Sequence, residues 1–303
     1  MKSFAKINLG LEITGKRADG YHELRTIFQT IDYFDTIKIK ENRSGKLQLG
    51  GSRGSVAWDD TNTVAKAYRL IRENYTIAAD RGFDIFIEKR VPAGSGLGGG
   101  SSNAAAVLLF LNEYLRLQIS FDDLVNMAGT VGADVPFFLV GGAVLAEGIG
   151  DKMTRLDDLP ERLLGIVIPD IEVSTRHIFS RFGLTSASFD SKITKFLESL
   201  KFDILENDLE SVTFGLFPEI KEIKRKMLDC GCECALMSGS GGAVYCLFQE
   251  ENIRDLQELF PRMMVTKTIG RKYYRNIIGA WPSGKASAFG ADIGGSNPPA
   301  PAR

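Results

Sequence analysis

The chain has 303 residues, 44% of them hydrophobic and 25% charged, with a net charge of −1. That length suffices for two domains of ordinary size, and the near-neutral balance offers no global field for nucleic acid or a membrane surface, so a small-molecule partner is expected. Apolar runs stay short of membrane-spanning length and the first strand pattern begins near Ser3, which predicts a cytoplasmic protein without a signal peptide.

Residues 4–13 alternate, with Ala5, Ile7, Leu9, Leu11 and Ile13 on one face and Lys6, Asn8, Gly10 and Glu12 on the other. This predicts a half-buried strand that sets Lys6 and Asn8 side by side on its open face. A turn over 15–20 leads into an extended segment from Tyr21 and His22 through Phe28. Residues 35–40 and 46–49 read as further strands, and Asp60, Thr61 and Asn62 offer caps for a helix over 63–74. Phe83, Ile85 and Ile87 alternate with polar residues in a strand that feeds a glycine-rich loop.

That loop reads Pro92, Ala93, Gly94, Ser95, Gly96, Leu97, Gly98, Gly99, Gly100, Ser101, Ser102. Its glycines keep side chains away from a ligand and permit positive φ. Ser101, Ser102 and Asn103 are helix-capping types, and a run of helix formers follows to about residue 115. A glycine loop feeding a helix N-terminus presents unpaired amides and a positive dipole end, which is an anion site suited to phosphate. A P-loop is excluded, because no lysine precedes Ser101. Gly94, Gly96 and Gly99 match G-x-G-x-x-G, but no second strand with a terminal acidic residue follows, so the dinucleotide reading is weak.

Ser120 and the aspartates after it predict another helix, ending near 129–132. A turn over 132–138 holds Asp134 among apolar neighbours, and 143–147 with 152–156 suggest a hairpin. From Leu159 a second unit is expected: a strand over 163–168, a short helix capped by Ser174 or Thr175, and helices over 193–209 and 219–230. Strands at 235–237 and 243–248 flank a second glycine turn, Ser238 to Gly242, before a helix over 253–260 and a strand over 264–268. Strands and helices mixed without strict alternation indicate α+β domains. Of the 23 residues from Trp281 to Arg303, 16 are Gly, Pro, Ala or Ser, which reads as a disordered extension. Cys230, Cys232, Cys234 and Cys246 fit no paired zinc spacing and read as small buried thiols in a reduced compartment.

Three segments together resemble the GHMP kinase superfamily: residues 92–102 its central phosphate loop, 238–242 its C-terminal glycine motif, and 5–9 its N-terminal motif. Residues 5–9, 13–24 and 132–137 narrow the resemblance to the branch acting on a cytidine diphosphate alcohol, over residues 3 to about 270. The resemblance implies a two-domain GHMP kinase fold with ATP and substrate meeting in the interdomain cleft, and transfer of the ATP γ-phosphate to a hydroxyl. It divides the chain into an ATP-binding N-terminal domain (1–158), a C-terminal domain (159–279) and the tail (280–303).

By the same resemblance Asp134 is the catalytic base and Lys6 its partner, although an aspartate between glycine and proline also suits an Asx turn. Tyr21, His22 and Phe179 match positions that stack on and bond to cytosine; Asn8 and Thr175 are candidate polar contacts. Asn62 and Lys89 match positions near the adenine, Gly239, Ser240 and Gly241 complete the ATP site, and Ser95 stands where a third glycine is frequent. Mg²⁺ is expected with ATP, with Ser101 a candidate ligand and no carboxylate cluster assigned to it. The expected partner is the cytidine diphosphate substrate, without nucleic acid or membrane, on a monomer or homodimer. Two readings stay open beside this one: another GHMP kinase acting on homoserine, mevalonate or a sugar, and a catalytically silent nucleotide-binding module.

Overall fold

A computed structural model of the chain describes residues 1–183 and 191–278. In its first half, β1 (Lys2–Lys16), β2 (His22–Asn42) and β3 (Leu47–Gly51) precede α1 (Thr63–Asn74) and β4 (Gly82–Glu88). Then come α2 (Gly99–Tyr114), α3 (Phe121–Val131), α4 (Phe137–Val140), β5 (Ala143–Gly148) and β6 (Lys152–Arg155). These strands form one sheet in the order β3-β4-β2-β5-β6, with β1 also paired to β2. The second half holds β7 (Leu163–Val167), α5 (Thr175–Arg181), α6 (Lys192–Ser199), α7 (Glu210–Leu216), α8 (Pro218–Asp229), β8 (Cys234–Met237) and β9 (Val244–Phe248). It ends with α9 (Ile253–Leu259), β10 (Met264–Lys267) and α10 (Arg271–Ile278), and its sheet runs β10-β7-β9-β8.

The alternation of β1 divides its side chains between two surroundings. Ala5, Ile7 and Leu9 join Ile27 and Ile31 of β2 in a core shared with Leu164, Ile166, Tyr245 and Leu247 of the second sheet. Lys6 and Asn8 point the other way, toward Thr26 and Phe28. One strand thus carries the joint between the two sheets on one face and polar chemistry on the other. Beneath the first sheet, Phe83, Ile85 and Ile87 pack against Val64 and Tyr68 of α1 and Ala104, Leu108 and Leu111 of α2. α2 is apolar nearly all round because it is buried nearly all round.

Several expectations change. β2 is one strand where two were expected, because Gln29 and Thr30 interrupt the apolar pattern yet are buried, bonding the backbones of Ile269 and Gly142. The single helix expected over 193–209 is cut to α6 and a short 3-10 turn over Phe202–Ile204, and α7 starts only beyond it, at Glu210. Leu200 ends α6 at φ +54°, and Asn207 and Asp208 bond the backbone of Leu209 and Ile13, which competes with helix continuation. α2 begins at Gly99 with Gly98 at its N-cap, φ +71°, so Ser101, Ser102 and Asn103 lie in its first turns and do not cap it. α4 replaces part of the expected turn.

α10 had no counterpart in the expected elements; its Tyr274 is buried against Phe4 at the start of β1 and donates to the Phe138 carbonyl. Expectations for 280–303 lie outside the described residues. Cys232, Cys234 and Cys246 are buried, and burial pushes the Cys234 thiol up to about 12. Among the described residues no group of three or more His, Cys, Asp or Glu is disposed to hold a metal, and no helix is long and apolar enough to cross a membrane.

Candidate active site

The two glycine loops meet backbone to backbone. Gly96 sits at φ +82°, and a Cβ there would lie 2.1 Å from the carbonyl oxygen of Ser238; a Cβ on Gly241 would lie 2.5 Å from the amide nitrogen of Gly96. Only glycine permits that approach. Ser238 Oγ donates to the Gly96 carbonyl (3.0 Å), the Ala243 amide to the Ser95 carbonyl (3.1 Å) and the Lys6 amide to the Leu97 carbonyl (3.0 Å). Leu97 is fully buried and anchors the loop in the shared core. Ser95 is buried with its hydroxyl on the Pro92 carbonyl, which accommodates the departure from glycine. The amides of Gly94 to Ser101 donate to no group among the described residues. Eight unpartnered amide donors thus lie in and just after the loop that leads into α2, an arrangement with the chemistry to accept an anion.

Lys6 stands beside both loops. A Cβ on Gly98 would be 3.2 Å from its Cγ, and a Cβ on Gly239 3.8 Å from its Nζ. The ammonium donates to Asn8 Oδ1 (2.7 Å), lies 5.0 Å from the centre of the Phe28 ring and pairs with Asp134 Oδ2 at 3.6 Å. The expected open face is in fact covered: Lys6 is 4% exposed. Asp134, between α3 and α4, has a side chain 36% exposed and accepts no hydrogen bond from the backbone among the described residues, so the Asx-turn alternative has no support in the geometry.

Burial draws the Lys6 pKa below the ordinary 10.5, and the Asp134 carboxylate pulls it back upward. Between the two values the native state holds fewer protons than the unfolded chain, so the burial penalty on stability is present at neutral pH and fades as pH rises. Turnover moves oppositely if the ammonium is needed. A pH–rate profile is expected to fall on its alkaline side below pH 10.5; a rate flat through that range would remove Lys6 from the chemistry.

A cavity of about 740 Å³ opens at the far end of the same strands, lined by Lys16, Tyr21, His22, Leu24, Thr175 and Phe179 among others. The His22 ring is 5.6 Å from Phe179 and 6.1 Å from Phe182. Its Nε2 is buried without a hydrogen-bond partner. Burial, with Lys16 nearby, lowers its pKa, which keeps the imidazole neutral at pH 7 and able to face an uncharged base. Tyr21 is 63% exposed at the rim. Ser174 caps α5, leaving the Thr175 hydroxyl to accept from Ser240 Oγ (2.8 Å), so the cavity is tied to the second glycine loop.

His22, Leu24, Thr26 and Phe28 alternate along one face of β2, which therefore runs from the cavity to Lys6. On the way Thr26 Oγ1 accepts from Asn8 Nδ2 (2.9 Å).

Two residues matched to positions near the adenine have structural partners within the fold. Asn62 caps α1, accepting from the Val64 amide (2.9 Å) and donating to the Ala57 carbonyl (2.8 Å). Lys89 is buried in an ion pair with Asp35. Residues that sequence reasoning missed support the loops: Thr26, Asp35, and Asn207, whose side-chain amide donates to the carbonyls of Met237 and Gly239 (both 2.8 Å). Each reads locally as a surface polar residue, so no sequence signal marks it.

Comparison with known proteins bears on this arrangement. The family model for the GHMP kinases N terminal domain matches residues 62–142, and that for the GHMP kinases C terminal matches residues 193–264. A protein of Geobacter sulfurreducens named 4-diphosphocytidyl-2-C-methyl-D-erythritol kinase is 42% identical over 255 residues, covering 83% of this chain and 90% of that one. Its namesake in Clostridium beijerinckii is 37% identical over 281 residues, covering 89% and 99%. A crystal structure of 4-(cytidine 5'-diphospho)-2C-methyl-D-erythritol kinase superposes with a TM-score of 0.77 at 32% identity, covering 89% of this chain and 99% of that one. Mevalonate kinase of L. major, 14% identical with a TM-score of 0.68, shares the fold alone; it covers 89% of this chain and 96% of its own.

Proposed function

The chain belongs to the 4-diphosphocytidyl-2-C-methyl-D-erythritol kinases, within the GHMP kinases, and from that premise we propose that it transfers the γ-phosphate of ATP to the 2-hydroxyl of 4-diphosphocytidyl-2-C-methyl-D-erythritol. That reaction belongs to the non-mevalonate route to isoprenoid precursors. The observation that carries the reading is the contact of Lys6 Nζ with Asp134 Oδ2 at 3.6 Å, beside both glycine loops.

Phosphoryl transfer is mostly positioning and charge stabilisation. The amides of residues 94–101 and the N-terminal end of α2 hold the triphosphate. The hydroxyl proton passes to Asp134, and the adjacent Lys6 ammonium stabilises the transferred charge. Mg²⁺ bound with ATP would neutralise charge on the phosphate oxygens, and the half-exposed Ser101 in the first turn of α2 would be its protein ligand. Cytosine enters the cavity between Tyr21 and Phe179 and meets the unpaired Nε2 of His22.

The test is γ-phosphate transfer to the cytidine diphosphate alcohol, against homoserine, mevalonate and sugars as controls. Selective turnover of the former is expected, and preference for any control would overturn the assignment. Phe179→Ala is expected to raise KM for that substrate about 3- to 10-fold with kcat little changed, since stacking contributes about 0.5–1.5 kcal/mol beyond burial.

A further inference from the structure

Asp35 takes no part in the chemistry above, yet its carboxylate is fully buried. Its two oxygens serve different parts of the fold. Oδ1 accepts the amides of Arg90 (2.7 Å) and Val91 (2.8 Å), where the chain leaves β4 for the glycine loop. Oδ2 accepts from the Lys89 ammonium and from the side-chain amide of Asn103 (3.1 Å), in α2 beyond the loop. All of the roughly four lone-pair sites of a carboxylate are thereby filled. One buried group fastens both flanks of a loop whose glycines leave it few restraints of its own.

The ion pair also underlies the start of α2: a Cβ on Gly99 would lie 3.1 Å from Lys89 Nζ. An ammonium left unneutralised there would oppose the positive end of the helix, and Asp35 cancels it.

We propose that Asp35 is the positioning residue of the nucleotide loop, setting triphosphate affinity through the two flanks while touching no ligand itself. The proposal rests on reading residues 94–101 as the triphosphate site. With both flanks fixed, the open amides converge before ATP arrives, and the ordering cost is not charged to binding.

Asp35→Asn retains one acceptor oxygen for the two amides but turns an NH₂ group toward the donors of Lys89 and Asn103. The expected result is a rise of about tenfold in the Kd and KM for ATP, with KM for the alcohol substrate within about twofold of wild type. A purely structural role would move both substrates together or neither. Because the single variant leaves Lys89 buried without its counter-ion, Asp35→Asn/Lys89→Met is measured beside it. This variant is expected to regain thermal stability without regaining ATP affinity.

A folded double variant that binds ATP like wild type would overturn the proposal, as would a parallel rise in both KM values. If neither folds, Asn103→Ala decides, since it leaves the ion pair intact and cuts only the α2 side: about a threefold loss of ATP affinity is expected, and no loss overturns the idea. ATP binding is titrated directly as well as through turnover. A wild-type protein that binds ATP but phosphorylates nothing would therefore defeat the functional reading while leaving the role of Asp35 measurable.

Discussion

Asp134→Asn is expected to lower kcat by about 10²–10⁴-fold, the usual contribution of a positioned acid–base group, while ATP affinity stays within a few-fold of wild type. The substitution preserves shape, and the carboxylate supports no backbone turn among the described residues, so the loop between α3 and α4 should stand. What is lost is the acceptor for the hydroxyl proton and the counter-ion of Lys6. Because Asp134 raises the lysine pKa against the effect of burial, its removal should shift the alkaline limb of residual activity to lower pH.

The stability cost is expected to be about 1 kcal/mol, well below that of severing a dry ion pair, because the Asp134 side chain is 36% exposed and partly screened. Single-turnover rates with a separate nucleotide titration make the distinction. Near-wild-type turnover would mean that the 3.6 Å contact with Lys6 is structural and that the proton goes elsewhere.

Gly96→Ala is expected to cost about 2–4 kcal/mol and to abolish tight ATP binding, whereas Gly94→Ala in the same loop should cost about 1 kcal/mol and leave binding nearly intact. The two glycines have similar backbone conformations, φ +82° and +70°, so both carry the left-handed penalty for an L-residue. They differ in what a Cβ meets. At Gly94 there is nothing within 4 Å; at Gly96 the methyl would fall 2.1 Å from the Ser238 carbonyl oxygen, itself held in the second loop. Relief requires the two loops to separate, carrying Lys6 with them through the hydrogen bond from its amide to the Leu97 carbonyl. Denaturation midpoints and ATP titration of both variants test this, and equal effects at the two positions would show that conformation alone, and not loop-to-loop contact, governs the site.

Elements whose signal is local were legible before folding. The alternation of residues 4–13 marked β1, the polar run Asp60 to Asn62 marked the start of α1, and the glycines of 94–100 marked a loop leading into α2. Where tertiary bonds replace local ones, reading along the chain failed. Gln29 and Thr30 look like a break in a strand because their partners, Ile269 and Gly142, are remote in sequence. Asn207 and Asp208 look like helix, yet they bond the second glycine loop at Gly239 and β1 at Ile13. The buried ion pair of Lys89 and Asp35 joins two segments that separately read as ordinary strand edges.

Periodicity and glycine placement were therefore sufficient for the class of fold, the candidate anion-binding loop and, with the family resemblance, the candidate catalytic pair, since residue type and spacing are properties of the chain itself. Folding alone settled that Lys6 is buried, that it lies between two loops and faces Asp134, and that Asn62 and Lys89 are occupied by neighbours. Those outcomes depend on distances between segments far apart in the chain, and such distances are set by how two sheets pack across a common strand, which no local pattern encodes.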